Sequence, residues 1–149
     1  MTGQVDFYVL PGTSAQQRYR FACRVVEKAY LRGMSVAVLG SDAGELSLLD
    51  ELLWTFSDQS FVPHAIVTGE TGGTDTPVRL TQSLPPGTQA DLIVNLKASL
   101  PPEPGRCVRI AEIVDADPVR RQAGRERFKA YRDLQLTLKT HQLDDVTEP

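Results

Sequence analysis

Histidine and cysteine are scarce in this chain of 149 residues, with two of each, and the shortage closes off several chemistries. Cys23 and Cys107 are too few and too far apart for a disulfide framework or a zinc site, and read as core thiols in a reducing cytoplasm. His64 and His141 have no partner at catalytic or metal-ligand spacing. His64, following Pro63 at the start of a strand, reads as a structural, hydrogen-bonding residue rather than an acid–base group. There is no G-x-S-x-G elbow, and Asp50 and Glu51, being adjacent, lie on different parts of a helix surface and make no carboxylate pair. The glycine loops are equally unpromising for phosphate. Pro11-Gly12-Thr13-Ser14 replaces the G-x-G-x-x-G of dinucleotide binders. Gly40-Ser41-Asp42-Ala43-Gly44 lacks the Lys-Ser/Thr of a phosphate loop and sets Asp42 where phosphate would sit. Gly69 to Thr74 reads as a connection. No long apolar run or basic N-terminal region occurs, so neither membrane spanning nor secretion is expected and the cytoplasm is. There is no internal repeat, and the residues make no case for a catalytic, metal or cofactor site.

What is present is an ordinary globular composition, 41% hydrophobic and 23% charged, enough for one domain with a core of its own. That domain is expected over residues 1–143, with a frayed tail over 144–149. Val5 to Leu10 reads as a buried strand stopped by Pro11-Gly12. Ser14 can cap a helix from Ala15 to Leu31, with Tyr19, Ala22, Cys23, Val26, Ala29 and Tyr30 at three- and four-residue spacing. Ser35 to Leu39 is a second strand. Asp42 and Glu45 form a capping pattern before Leu46, Leu49, Leu52 and Leu53. Further strands are expected at His64–Val67, Val78–Leu80, Leu92–Leu96 and Arg106–Val114. A last helix starts near Asp117 or Pro118, since proline suits the first helical position, and Leu134 to Leu138 reads as an extended tail. Strand and helix alternating in this way imply βαβ units and a parallel sheet.

The last helix carries the chain's concentration of positive charge. Arg120 to Arg132 holds six basic residues and one acidic, in a chain of net charge −3. At about 100° per residue, Ala123, Ala130 and Leu134 share a face with Val119, with Tyr131 on its shoulder, as a core-facing stripe would. Arg121, Arg125 and Arg132 fall on the far side, and Phe128 lies among them, out of place for a core residue. Two readings stand at this point: a solvated face with Phe128 tucked into a neighbour, or a site for an acidic ligand that ends in something apolar. A second cluster, Leu53-Trp54-Thr55-Phe56 followed by Phe61-Val62-Pro63, reads either as a cap on the sheet edge or as an aromatic surface for a protein partner.

Leu49-Asp50-Glu51-Leu52-Leu53-Trp54, Ser60-Phe61-Val62-Pro63-His64 and Arg125-Glu126-Arg127-Phe128-Lys129-Ala130-Tyr131-Arg132 resemble, in order and spacing, the chi-subunit family of bacterial DNA polymerase III holoenzyme. The resemblance covers essentially the whole chain. It implies a Rossmann-like three-layer α/β fold, with a mostly parallel central sheet flanked by helices, and a non-catalytic accessory of the clamp loader in DNA replication, without cofactor or metal. It implies two partners. One is the acidic C-terminal tail of single-stranded-DNA-binding protein, held by Arg121, Arg125, Phe128 and Arg132, so that contact with single-stranded DNA is indirect. The other is the psi subunit, or in some members an XPD-like helicase, on Trp54, Phe61, Val62 and Pro63. Phe128 stands where the best-known members have tyrosine, and the segment before the basic helix is shorter. Direct nucleic-acid binding by the basic helix is the competing class, and a degenerate nucleotide-dependent enzyme is a third.

Overall fold

The computed structural model describes residues 3–57, 61–67, 76–84, 90–101 and 109–143. Cys107, the Gly69–Thr74 loop and the 144–149 tail lie outside them. Seven strands form one sheet: β1 (Gln4–Val9), β2 (Val36–Leu39), β3 (His64–Ile66), β4 (Val78–Thr81), β5 (Leu92–Asn95), β6 (Arg109–Val114) and β7 (Thr137–Gln142). Their order is β3-β4-β2-β5-β6-β1-β7, with every neighbouring pair parallel. The sheet is therefore wholly parallel, where the sequence had implied mostly so. Its middle strands β2 and β5 are buried along their length, which explains why they read as unbroken apolar runs rather than alternating ones.

Helices α1 (Ala15–Leu31) and α2 (Ala43–Thr55) cover one face and α3 (Pro118–Asp133) the other. Each begins where its capping chemistry dictates. Ser14, Asp42 and Asp117 accept from the backbone N–H groups of Gln17, Glu45 and Arg120, satisfying donors that have no partner within the helix. Glu45 bonds back to the N–H of Ser41 at 2.6 Å and accepts from the Tyr19 hydroxyl at 2.5 Å, so the cap of α2 also ties α2 to α1. Burial and that bond push the Tyr19 hydroxyl up to about 12. The α1 face holds the larger core cluster, with Phe21, Val26, Val38, Leu46, Leu49, Leu53, Val62 and Ile113 among its members. Cys23 is a core thiol there, its pKa pushed up to about 12 by burial. The α3 face is built on Val5, Phe7, Leu39, Ile93, Ile110, Val114 and Tyr131.

The segment expected as an extended tail is instead the seventh strand. β7 pairs with β1 in register from Gln4↔Thr137 to Val9↔Gln142. α3 closes with the N–H of Gln135 on the Arg132 carbonyl and that of Leu136 on Tyr131, the paired bonds of a Schellman motif. Gln135 takes the left-handed conformation, φ 63°, and so turns the chain back into the sheet. A lone alternating run could not announce this, because its partner strand lies at the other end of the sequence.

Candidate functional site

α3 sits on the sheet in a setting that differs from its apparent apolar stripe. Val119 is 78% exposed and Leu134 52%, while the buried residues are Gly124, Arg127 and Tyr131. Helix geometry makes this a rotation of about 80° from the stripe of Val119, Ala123, Ala130 and Leu134. Two features set it. Gly124 lies against β6 so closely that an added Cβ would stand 3.0 Å from Val114 Cγ2. Arg127 is drawn inward to Glu112, which is fully buried in the middle of β6. Arg127 Nε and Nη2 each lie 3.0 Å from Glu112 Oε1, and Nη1 donates to the carbonyl of Ala98 at 3.0 Å. Glu112 Oε2 accepts from the Tyr131 hydroxyl at 2.6 Å and from Asn95 Nδ2 at 2.8 Å. Burial pushes the Glu112 carboxyl above its ordinary value, against the pull of Arg127 and the hydrogen bonds from Tyr131 and Asn95. The sequence held a signal for this pair: a glutamate inside the apolar run Ile110-Ala111-Glu112-Ile113-Val114 must find a partner if it is buried.

This setting resolves the basic cluster into two populations. Arg120 and Arg127 are structural, paired with Asp115 at 2.7 Å and with Glu112. Arg121, Arg125, Lys129 and Arg132 have no carboxylate partner among the described residues. Arg121, Arg125 and Phe128 converge on a groove of about 320 Å³, whose floor is Phe7, Val9 and Val114 and whose far wall is Thr140 and Gln142 of β7. Phe128 is half-buried, its ring 5.2 Å from that of Phe7, so it belongs to the core edge as well as to the groove. It is not the misplaced residue that the helical wheel suggested. Arg132 is exposed but does not line the groove. Phe7 and β7 were missed from the sequence, because strands contribute to the groove through pairings distant in the chain.

The aromatic cluster divides as well. Trp54 is 46% exposed and Phe61 67%, with ring centroids 5.4 Å apart, and Pro63 is half-buried beside them. Val62 is fully buried in the main core, which corrects its assignment to a partner surface: it anchors the segment from below. His64, also buried, supports Trp54 at a ring distance of 4.2 Å, and its Nδ1 lies 2.6 Å from the Val62 carbonyl and its Nε2 2.9 Å from the Asp50 carbonyl, with the N–H of a neutral ring donating to one of the two. Its expected hydrogen-bonding role is the one observed.

Parallel α/β sheets usually hold ligands at the carboxyl ends of their strands. Here Arg18 of α1, buried, reaches into that region and donates to the carbonyls of Ile113 at 3.0 Å and Leu96 at 3.1 Å. Burial, with Arg120 nearby, lowers its pKa. Its guanidinium occupies the ends of β5 and β6 with the protein's own backbone. Among the described residues no group of three or more His, Cys, Asp or Glu is placed to hold a metal, and no helix is long and apolar enough to cross a membrane.

The domain is thus a parallel α/β frame on which guanidiniums without carboxylate partners among the described residues border an apolar groove. Comparison with known proteins narrows the class. The chain belongs to the family described as DNA polymerase III chi subunit, HolC, whose family model matches residues 1–139. It is 37% identical over 143 residues to DNA polymerase III subunit chi of Pseudomonas aeruginosa, covering 96% of this chain and 99% of that protein. To the subunit of the same name from Escherichia coli it is 27% identical, covering 87% and 86%. It is thus an accessory subunit of DNA polymerase III, with its place in DNA replication. Among solved structures, the fold is similar to S. cerevisiae Dbp5 bound to Gle1 and IP6, at a TM-score of 0.63 and 13% identity, over 95% of this chain and 42% of that one. It is also similar to T4 UvsW, at 0.60 and 10%, over 93% and 41%. At such identities the likeness concerns the fold alone.

Proposed function

We propose that this chi subunit holds the acidic C-terminal tail of single-stranded-DNA-binding protein in the groove between α3 and β7, and links it to the clamp loader through psi. The observation that carries the reading is the junction of Arg121 and Arg125, without carboxylate partners among the described residues, with the apolar lining of Phe7, Val9, Val114 and Phe128. A terminal carboxylate matches the planar donors of Arg125, and the last side chain, if apolar, matches the floor. Arg121 stands beside Arg125, whereas Arg132 lies about 16 Å from Arg121 along the helix at 1.5 Å per residue, suited to aspartates further upstream. Trp54, Phe61 and Pro63 offer the second surface, for psi or an XPD-like helicase. Such a subunit works in the cytoplasm and touches single-stranded DNA only through its partner.

The test is fluorescence anisotropy of a labelled tail peptide at two salt concentrations. Roughly micromolar affinity, near −8 kcal/mol, is expected, weakening with salt and lost in Arg125→Ala. Equal affinity of wild type and Arg125→Ala would refute the site. An unlabelled oligonucleotide that displaces the peptide as well as free tail does would favour direct nucleic-acid binding. Trp54→Ala with Phe61→Ala should release psi and leave tail affinity unchanged.

A further inference from the structure

α3 has two faces that could lie against the sheet, and only one of them does. Val119, Ala123, Ala130 and Leu134 form the more continuous stripe by composition, yet Val119 and Leu134 are largely in solvent. The face turned to the sheet buries Gly124, Arg127 and Tyr131, with Phe128 half-buried at its edge. Hydrophobic area alone does not decide between the two settings, since a turn that buried Val119 and Leu134 would uncover Tyr131 and Phe128, which now pack on Phe7. What opposes that turn is the buried polar network. Arg127 and Tyr131 place three side-chain bonds on Glu112 within 3.0 Å, and Asn95 adds a fourth from β5. Rotation by about 80° would break all three α3 bonds and leave the Glu112 carboxylate buried without its cation, which is strongly unfavourable.

We infer that the Glu112–Arg127 pair is a positioning device for the tail groove, selecting the rotational setting of α3 that puts Arg121, Arg125 and Phe128 on the groove and leaves Val119 and Leu134 outside. The inference rests on the groove being the tail site. It adds two residues that touch no part of the groove. The same turn that buries Val119 and Leu134 would carry Phe128 off Phe7 and Arg125 away from the β7 wall. Such a pair contributes little net stability; its effect is to make one of two packings unique, as a buried polar residue does when it fixes the register of a coiled coil.

The test compares Glu112→Gln with Arg127→Met as a double variant, which removes both charges together and so leaves neither unpaired. Three quantities are read: stability in urea, the nuclear Overhauser contacts between the Phe7 and Phe128 rings, and tail affinity, with wild type and Arg125→Ala as references. The expected result is near-wild-type stability, loss of the Phe7–Phe128 contacts, and tail affinity reduced at least tenfold. Arg127→Lys, which keeps the charge, should recover part of both the ring contacts and the affinity. A stable double variant with intact ring contacts would overturn the inference, whatever its affinity. If wild type fails to bind the tail, the reading of the groove falls, and the ring contacts still decide whether Glu112 and Arg127 set the helix.

Discussion

Gly124→Ala is the substitution whose sign depends on how α3 sits. On an exposed helix the change stabilises by about 1 kcal/mol, because alanine surpasses glycine in helix propensity by that amount. At position 124 the new methyl would stand 3.0 Å from Val114 Cγ2 and 3.3 Å from Cγ1, closer than side-chain carbons pack at rest. Val114 is 5% exposed at the end of β6, where it pairs with Val9 of β1, so either the strand end must shift or the helix must lift. Overpacking of this kind costs about 1–3 kcal/mol, so the net expectation is a destabilisation of up to about 2 kcal/mol. Equilibrium urea unfolding followed by far-ultraviolet circular dichroism measures it directly. The same methyl lifts α3 from the groove floor, so tail affinity should fall as well. Val114→Ala in the Gly124→Ala background should recover about 1 kcal/mol or more relative to the sum of the single changes, as expected for two residues in contact. A gain of about 1 kcal/mol in Gly124→Ala alone would refute the reasoning, since it would mean that the helix stands off the sheet and the groove is shallower than described.

Two further outcomes follow from the same structure. Gln135 holds a left-handed backbone that costs a non-glycine residue about 1–2 kcal/mol, so Gln135→Gly should stabilise by about 0.5 kcal/mol once glycine's own entropy is set against it; a lower Tm for the variant would contradict this. Acid should loosen the domain through Asp6 and Asp115. Burial tends to raise both carboxyls, but hydrogen bonds from His141, Arg109 and Gln4 outweigh it at Asp6, and those from Arg120 and the Asp117 backbone do so at Asp115, leaving both below their ordinary range. Their stabilisation is therefore complete above the unfolded carboxylate pKa of about 4 and is lost as pH falls through the lower folded values. Asp115→Asn should flatten the acid limb of a stability-versus-pH curve, and an unchanged limb would show that the pair with Arg120 contributes nothing.

Much of this architecture was legible in the residues. The spacing of α1, the caps at Ser14, Asp42 and Asp117, and the apolar runs of β2 and β5 are local signals, and each element forms where its local chemistry places it. The helical wheel of α3 failed for a physical reason. It counts arginine as surface and glycine as neutral, whereas here a buried glutamate on another element makes Arg127 an interior residue and close packing makes Gly124 a contact. β7 was missed as a strand for a related reason, its partner being the first strand of the chain. Val62 was grouped with Trp54 and Phe61 by adjacency, although neighbouring residues of an extended segment point to opposite sides. Arg18 gave no sign of its burial, because a lone arginine near a helix start reads as solvated until strand ends are known to lie over it. Of the residues drawn from the family resemblance, Arg121, Arg125 and Phe128 converge, and Arg132 stands apart.

The strand order has a further consequence. Trp54 and Phe61 flank β3, at one margin of the sheet, and the α3 groove is walled by β7, at the other. Six inter-strand intervals of about 4.8 Å set the two margins roughly 29 Å apart, and a twist of about 20° per interval turns one some 120° from the other. The sheet thereby acts as a rigid strut with a fixed length and a fixed angle between its ends. Two short segments docked there would not touch each other, and any coupling between them would have to pass through the strut. Their joint occupancy would then follow from two independent affinities, with the geometry of the assembly between them set by seven strands rather than by a flexible tether.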